Sequence, residues 1–279
     1  MTPANLKEQT VAEVFQEQLE ALGWTVDNGY KETFGAVSPY GRPNTTLHVL
    51  PRRLREAIEG LNPALPEAAR EAAIDELLRD RSALSLARAN QELYALLRDG
   101  VPVEVKSDDG SAETQRVRVI DWDDSARNSY VAVREFELKG DVYTRRADVV
   151  GFVNGLPLVF VELKSPDTPL RAAYDDNFTD YRATIPRLFH FNALTIFANG
   201  SDARLGTITA AWEHFKPWKR ALREDEPPAP GQPTLLKAVC APARMLDFVQ
   251  NFTLFVEIAG GVAKVVAQNH QFLGVNNAI

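Results

Sequence analysis

The stretch RRADVVGFVNGLPLVFVELKSP, residues 145–166, carries the pattern that decides the fold of this chain. Two apolar runs flank a turn, which is typical of a β-hairpin whose strands are buried. The same stretch nevertheless carries Asp148, Glu162 and Lys164. Charges in a buried element cost free energy unless they are paired or bind a ligand. These three side chains therefore indicate more than a structural hairpin.

The faces of the two strands decide whether the three charges can act together. Side chains alternate along a strand, so Glu162 and Lys164 share one face. A two-residue turn would put Asp148 on the opposite face. A three-residue loop, residues 153–155, would pair Asp148 with Phe160 and bring it to the face of the other two charges. We therefore predict the three-residue loop.

Two carboxylates and an ammonium group on one surface have a chemical interpretation. Asp148 and Glu162 offer the oxygen ligands that Mg²⁺ prefers, and Mn²⁺ can substitute for it. Lys164 can then orient or deprotonate a water for attack on a phosphodiester. The alternative is a structural pair between Glu162 and Lys164, with Asp148 capping its strand at the sheet edge. The residues alone leave both interpretations open.

The pattern along the rest of the chain predicts the fold class. Apolar residues at helical spacing between positions 11 and 22 predict a first amphipathic helix, and further helices follow. Strand patterns then lead to the hairpin, after which helices return. We predict an α/β or α+β fold with a central mixed sheet of roughly five strands flanked by helices. Prolines in residues 223–235 indicate a linker between residues 1–222 and a helical C-terminal tail, residues 236–279.

Composition excludes some classes of protein. The 279 residues include 31 Lys and Arg against 38 Asp and Glu, a net charge of -7. Free-standing proteins that bind DNA regardless of sequence are usually basic, so this class is disfavoured. The single cysteine, Cys240, excludes a disulfide framework. No stretch has the pattern of a signal peptide or a membrane span, and we expect a cytoplasmic protein without a membrane partner.

The hairpin also resembles a known motif. Asp148, followed after 13 residues by Glu162-Leu163-Lys164, is similar to the PD-(D/E)xK nuclease motif. Longer phrases, among them VRVIDW, DVVGFVNGLPLVFVELKSP and WEHFKPWK, resemble the N-terminal nuclease region of the restriction (R) subunit of type I restriction-modification enzymes. The resemblance implies a restriction-endonuclease-like core. It places the metal-binding acids on Asp148 and Glu162 and the catalytic lysine on Lys164.

The resemblance implies auxiliary residues as well. The Gln-x-x-x-Tyr motif of the family falls on Asn177 and Tyr181, with Asn in the place of Gln. Nucleases of this type often use a further acid on the first helix, and Glu13 and Glu17 are the candidates. Solvated helix charges are the more ordinary interpretation of those two. Ala147 stands where the family often has Pro before the metal-binding Asp.

Nucleic-acid and protein partners follow from the same resemblance. It implies double-stranded DNA as substrate, and methylation and specificity subunits as partners. Arg145 and Arg146, beside the metal-binding Asp, are the favoured candidates for phosphate contacts. Arg171, Arg182 and Arg187 are weaker candidates, for which a solvated surface is the default.

The motor of such a subunit needs a phosphate-binding loop. No G-x-x-x-x-G-K-[ST] sequence occurs in these 279 residues. ATP is therefore expected only in a full-length subunit, with residues 1–222 as the endonuclease domain. Residues 236–279 resemble the lead-in to an ATP-dependent translocase, in which Gln271 falls near an adenine-contacting glutamine.

Three hypotheses remain from the sequence. The first is a Mg²⁺-dependent endonuclease portion of a type I restriction enzyme. The second is a free-standing DNA repair nuclease, which would cut DNA without partners. The third is a truncated, catalytically silent docking module, which would bind no metal at Asp148 and Glu162.

Overall fold

The computed structural model describes residues 3–106 and 111–278. Within them, the strands are β1 (Thr25–Asn28), β2 (Val101–Lys106), β3 (Ala112–Val117), β4 (Tyr130–Lys139), β5 (Thr144–Val153), β6 (Leu156–Leu163), β7 (Leu194–Ala198), β8 (Ala203–Gly206), β9 (Thr253–Ile258) and β10 (Gly261–Val266). The α-helices are α1 (Pro3–Ala21), α2 (Pro51–Leu61), α3 (Glu67–Leu78), α4 (Leu86–Asp99), α5 (Thr179–Thr184), α6 (Gln232–Val239), α7 (Pro242–Asn251) and α8 (Asn269–Asn276). A π-helical turn, Ala173–Phe178, directly precedes α5.

One mixed sheet forms the centre of the molecule. Its strands lie in the order β1-β4-β5-β6-β7-β8. β5 is antiparallel to both β4 and β6, whereas β1 runs parallel to β4 and β7 runs parallel to β6. The other strands form two-stranded sheets, β2 with β3 and β9 with β10. This arrangement confirms the predicted α/β class with a central mixed sheet flanked by helices.

Local capping signals set the helix boundaries in the first half of the chain. α2 has Pro51 in its first turn. Backbone N–H groups have no partner within the helix at this position, so the missing N–H of proline costs no hydrogen bond. α4 begins after Ser85, whose hydroxyl accepts a hydrogen bond from the N–H of Arg88. It ends at Gly100, which takes a φ of 80°. These signals are contiguous in sequence, so the helices were predictable.

β6 is buried on both faces. All its residues are buried, and they divide between two apolar clusters. Val159 and Val161 belong to the cluster that also contains Phe248 of α7. Phe160 belongs to the cluster that contains Phe178 from the π-helical turn. Packing on both sides explains why this strand reads as a continuous apolar run.

The β5–β6 hairpin corrects our prediction of its loop. Val153 pairs with Leu156, so the turn has two residues, Asn154 and Gly155, with φ of 50° and 79°. Both angles are left-handed, as in the turns that suit hairpin twist. The predicted three-residue loop is therefore wrong. The side-chain amide of Asn154 donates a hydrogen bond to the backbone carbonyl of Val119 at 2.8 Å, which holds the turn in place.

A β-bulge, and not a longer loop, contains the extra residue that changes which face Asp148 occupies. Gly151 pairs with Val159 while Phe152 pairs with Pro157, so Leu158 is the extra residue on β6. Beyond the bulge the register continues to the pair of Val149 with Val161. One step further along this register brings Asp148 opposite Glu162.

The C-terminal region corrects a second prediction. We predicted a helical tail from residue 236, but α7 ends at Asn251 and the β9–β10 hairpin occupies residues 253–266. Alternating β-branched and aromatic residues favour strands here. The left-handed angles of Gly260 and Gly261, with φ of 92° and 151°, form the turn. Hydrophobic periodicity was misassigned, because a short apolar run fits either element.

The region after the predicted linker packs against the main core. Leu236 of α6 and Phe248 of α7 lie in the same apolar cluster as Val161 of β6. α6 begins inside the predicted linker, and the buried side chain of Gln232 accepts a hydrogen bond from the N–H of Gly200 at 3.0 Å. The domain boundaries at residues 222 and 235 stay a prediction. Among the described residues, none of the helices is long and apolar enough to cross a membrane.

Candidate active site

Glu162 and Lys164 meet at the end of β6. Lys164 Nζ donates to Glu162 Oε1 at 2.9 Å. The side chain of Glu162 is 2% exposed and that of Lys164 is 15% exposed. An acid and a base two residues apart therefore form a contact at the end of a buried strand, as the alternation of side chains predicted.

Asp148 reaches the same point from β5. Its Oδ2 accepts a hydrogen bond from the N–H of Leu163 at 2.7 Å. Leu163 lies between Glu162 and Lys164 in the sequence, so the carboxylate of Asp148 contacts the backbone that links the other two residues. The fold thus brings together all three charges of the hairpin.

The backbone pairing becomes irregular where Asp148 lies. The register of β5 with β6 ends at the pair of Val149 with Val161. On the other side, the register of β5 with β4 skips Glu135, which has a φ of 53°. Asp148 thus lies at an irregularity of both ladders, which lets its side chain take the Leu163 N–H. Irregular pairing of this kind is common next to active sites, because it redirects a side chain.

Tyr181 of α5 lies beside these residues. Its hydroxyl donates to the carbonyl of Arg146 at 2.8 Å. Its ring packs edge-on against Phe160, with 5.6 Å between the two ring centroids. Burial raises the pKa of Tyr181, and the negative charges of Glu162 and Asp148 raise it further. The phenol therefore stays protonated and acts as a hydrogen-bond donor near both carboxylates. The auxiliary role of Tyr181 stays a prediction.

Asn177 and Tyr181 lie in helical segments of different kinds. Asn177 lies in the π-helical turn before α5 and is half-buried. A π-helical turn holds more residues than an α-helical one, so a spacing of four does not align Asn177 with Tyr181 as it would in an α-helix. Among the described contacts, none joins Asn177 to Asp148 or Glu162. Its auxiliary role stays a prediction.

The acids of α1 lie on the solvent side of that helix. Glu13 and Glu17 are exposed, and Glu13 accepts a hydrogen bond from Gln9 at 3.3 Å. Besides its apolar packing, α1 makes a polar contact with the sheet through a residue that sequence reasoning missed. Gln16 Oε1 accepts from Arg134 Nη1 at 2.8 Å, on the strand next to β5. Gln16 stands between glutamates on α1, and nothing in the sequence distinguishes it as the partner of Arg134.

The two arginines before Asp148 are held by acids. Arg145 donates to both carboxylate oxygens of Asp180, at 2.5 and 2.9 Å. Arg146 donates to Glu137 at 2.6 Å. The hydrogen bond from Arg145 lowers the pKa of Asp180. The role of Arg145 and Arg146 in DNA contact stays a prediction, and their carboxylate partners could not be predicted from the sequence.

Asp180 and Tyr181 together attach α5 to β5. Asp180 binds Arg145, and Tyr181 binds the carbonyl of Arg146. The attached segment of β5 leads directly to Asp148. α5 therefore holds the end of β5 in the position from which Asp148 reaches Leu163.

The donor set suits a hard cation. Asp148 and Glu162 supply carboxylate oxygens, and among the described residues no group of three or more His, Cys, Asp and Glu could hold a metal. Mg²⁺ is often bound by one or two carboxylates and keeps several waters. Asp148 and Glu162 are therefore the residues that could hold such a cation.

Comparison with known proteins gives a consistent assignment. Residues 5–214 match a family model described as type I restriction enzyme R protein N terminus. The type I restriction enzyme HindI endonuclease subunit of Haemophilus influenzae is 33% identical over 290 residues, which cover 98% of this chain and 26% of the relative. The type I restriction enzyme EcoprrI endonuclease subunit of Escherichia coli is 32% identical over 104 residues, covering 35% of this chain and 31% of that relative. The chain spans about a quarter of the length of the HindI relative.

Proposed function

Because this chain belongs to the type I restriction enzyme R protein family, we propose that it is a nuclease portion of such a subunit and cleaves DNA with Mg²⁺. The observation that carries the proposal is the convergence of Asp148, Glu162 and Lys164. Asp148 contacts the backbone of Leu163 at 2.7 Å, and Lys164 contacts Glu162 at 2.9 Å. Both relatives are named as endonuclease subunits, which supports DNA cleavage at this site.

Each residue of the site has a role in the proposed hydrolysis. Asp148 and Glu162 would hold the cation, which when bound polarises the phosphate and lowers the pKa of its waters. As an ammonium group, Lys164 would orient a water for attack on the phosphate and donate a hydrogen bond to the developing negative charge, and the proton of that water would pass to bulk solvent. Glu162 keeps the ammonium group of Lys164 in place through their hydrogen bond. Tyr181 holds the end of β5 and adds no charge to the site.

DNA and partner subunits complete the proposal. Arg145 and Arg146 lie at the start of β5, shortly before Asp148, where DNA phosphates would approach the site. A net charge of -7 suits a chain that is brought to DNA by partners. We propose methylation and specificity subunits as those partners. ATP would act in the part of the subunit outside the match, and the assembly would work in the cytoplasm.

Metal binding tests the proposal directly. We expect Mn²⁺ to bind the purified chain, and the Glu162→Gln variant to bind at least about tenfold more weakly, since losing even a residue that supports a ligand costs about 10–100-fold in affinity. Isothermal titration at high protein concentration measures both. Glu224→Gln is the matched control, because Glu224 is an exposed carboxylate in another loop.

The alternatives predict different results. Equal Mn²⁺ binding by the parent chain and Glu162→Gln would refute the metal site and favour a catalytically silent docking module. Cleavage of DNA ends by the chain alone, with no dependence on partner subunits, would favour a free-standing repair nuclease. Plasmid nicking with and without partner subunits distinguishes that case.

A further inference from the structure

The β9–β10 hairpin is fixed to the body of the molecule through its inner face. Lys264 of β10 is 3% exposed, and its Nζ donates to the carbonyl of Asn192. The ammonium group also lies 5.8 Å from the ring centroid of Tyr94 and 5.5 Å from that of Phe255. Thr207 donates to the carbonyl of Lys264 at 2.8 Å. The hairpin is therefore part of the rigid structure.

A bidentate ion pair holds the same hairpin from the side. Arg88 of α4 donates to both oxygens of Glu257 at 2.6 Å each. α4 thus contacts the hairpin near its turn, and the β8 end of the sheet contacts it through Thr207. Contacts at two places fix its orientation.

The outer face of the same hairpin is apolar and exposed. Its side chains are Leu254, Val256, Ile258 and Val265, which are 66%, 45%, 55% and 46% exposed. Leu254, Val256 and Ile258 alternate along β9, and Val265 pairs with Leu254, so all four share one face. A rigid, contiguous apolar face in water usually marks an interaction site.

The size of this face limits what can cover it. Four side chains offer far less than the roughly 800 Å² per partner of a stable interface between separate chains. A second copy of this chain would therefore be held poorly. A surface joined to the hairpin by the same polypeptide needs less contact, because its effective concentration is high.

The relatives have polypeptide to supply such a surface. The match covers 98% of this chain but only 26% of the Haemophilus influenzae subunit, so most of that subunit lies outside it. We propose that the outer face of the β9–β10 hairpin docks in cis on an apolar surface of the rest of the R subunit. This rests on the proposed function, because it takes the chain as one portion of a longer subunit.

Docking there would orient the candidate active site. Asn192, which binds Lys264, directly precedes β7, and β7 pairs with β6 at Glu162. The hairpin therefore connects the docking face to the strand next to the site by short, rigid elements. DNA delivered by the rest of the subunit would reach Glu162 in a fixed orientation.

Thiol labelling tests the docking. The native cysteine, Cys240, is 1% exposed, and burial raises its pKa to about 12, so it should not react. A Leu254→Cys variant places a reactive thiol on the docking face. Val37→Cys is the control, because Val37 is 76% exposed on the loop beside β4. Both variants are made in this chain alone and in a chimera that joins it to the unmatched portion of the Haemophilus influenzae subunit.

The two proteins should label differently with a maleimide-linked polymer. In the chain alone, we expect similar rates at both positions. In the chimera, the rate at Leu254→Cys should fall at least tenfold while Val37→Cys keeps its rate. The buried Cys240 should stay unlabelled in both proteins, which shows that the chain is folded in the chimera. Equal rates at Leu254→Cys in the two proteins would overturn the proposal. Labelling needs no DNA cleavage, so this failure is distinct from failure of the proposed function.

Sedimentation of the chain alone provides a test that needs no chimera. We expect a monomer across the concentration range, since the face is too small for a separate copy. A dimer that the double variant Leu254→Ser, Ile258→Ser abolishes would overturn the proposal and assign the face to a second copy.

Discussion

The two hairpins β5–β6 and β9–β10 each carry a lysine on an apolar strand, and the surroundings of the two lysines differ. Lys164 is at the end of β6, keeps 15% of its side chain exposed and contacts the carboxylate of Glu162. Lys264 is within β10, is 3% exposed and contacts a backbone carbonyl and two aromatic rings. The nearest acid on its hairpin, Glu257, pairs with Val262 and binds Arg88 instead.

This difference separates the candidate active site from a structural contact. Beside Lys164, a second carboxylate, that of Asp148, arrives from the neighbouring strand and contacts Leu163. Beside Lys264, burial lowers the pKa of the amine to about 7. A lysine with acids at a strand end can serve a charged substrate, whereas a lysine enclosed by rings and a carbonyl holds two elements together.

The largest expected effect concerns activity. Lys164→Met should lower the rate of DNA cleavage by about 10²-fold or more, as for loss of a group that stabilises the developing charge at the reacting centre. Lys264→Met should leave the rate within about twofold when this chain is assayed without the rest of the subunit, because Lys264 lies outside the site, no docking occurs and Met keeps the packing. Plasmid nicking with Mg²⁺ and the partner subunits measures both. Similar losses in the two variants would remove the distinction between the hairpins.

The next effect concerns stability and pH. Lys264 has a pKa of about 7 when folded and an ordinary value near 10.5 when unfolded. Between these values the unfolded chain binds more protons than the folded chain, so this residue makes stability rise with pH. Relative to Lys264→Met, the free energy of unfolding should rise by about 1 kcal/mol per pH unit from pH 7 to 9. Urea unfolding at several pH values measures it, and parallel curves for the two proteins would contradict it.

The smallest effect compares two tyrosines that lie near the two hairpins. Tyr181 donates to the carbonyl of Arg146 at 2.8 Å, and Tyr94 donates to the carbonyl of Val249 at 3.0 Å. Replacing either by Phe should cost about 1 kcal/mol of stability, because one hydrogen bond is lost. Only Tyr181→Phe should also lower the cleavage rate, by about tenfold, because it positions the strand that carries Asp148. Thermal unfolding and plasmid nicking together test this, and an unchanged rate in Tyr181→Phe would make its role structural.

Several features of the site were open to prediction because they depend on neighbouring residues. Glu162 and Lys164 are two positions apart on a strand, so their contact follows from strand geometry. Asp148 and a turn were predicted as well. The sequence did not show, however, that a bulge brings Asp148 to the face of Glu162. The bulge at Leu158 depends on how β6 packs between two apolar clusters. That packing involves residues outside the hairpin, so the hairpin sequence does not predict it.

Other features depend on residues far apart in the chain. Arg145 and Asp180 are separated by 35 positions, and Gln16 and Arg134 by 118. A sequence shows each of these as an ordinary polar residue. Their pairing follows from where α5 and α1 lie on the sheet, and that is a property of packing. The resemblance to a nuclease motif predicted Tyr181 at the site without giving its partner.

The sequence by itself determined the fold class, the buried hairpin and the three charges at its open end. These follow from side-chain polarity and from the periods of strands and helices, which are properties of contiguous residues. Only the tertiary structure decided the two-residue turn with its bulge, the partners of Arg145 and Tyr181, and the C-terminal hairpin with its exposed face. Register and proximity depend on the total free energy of packing many distant side chains, and no local pattern contains it.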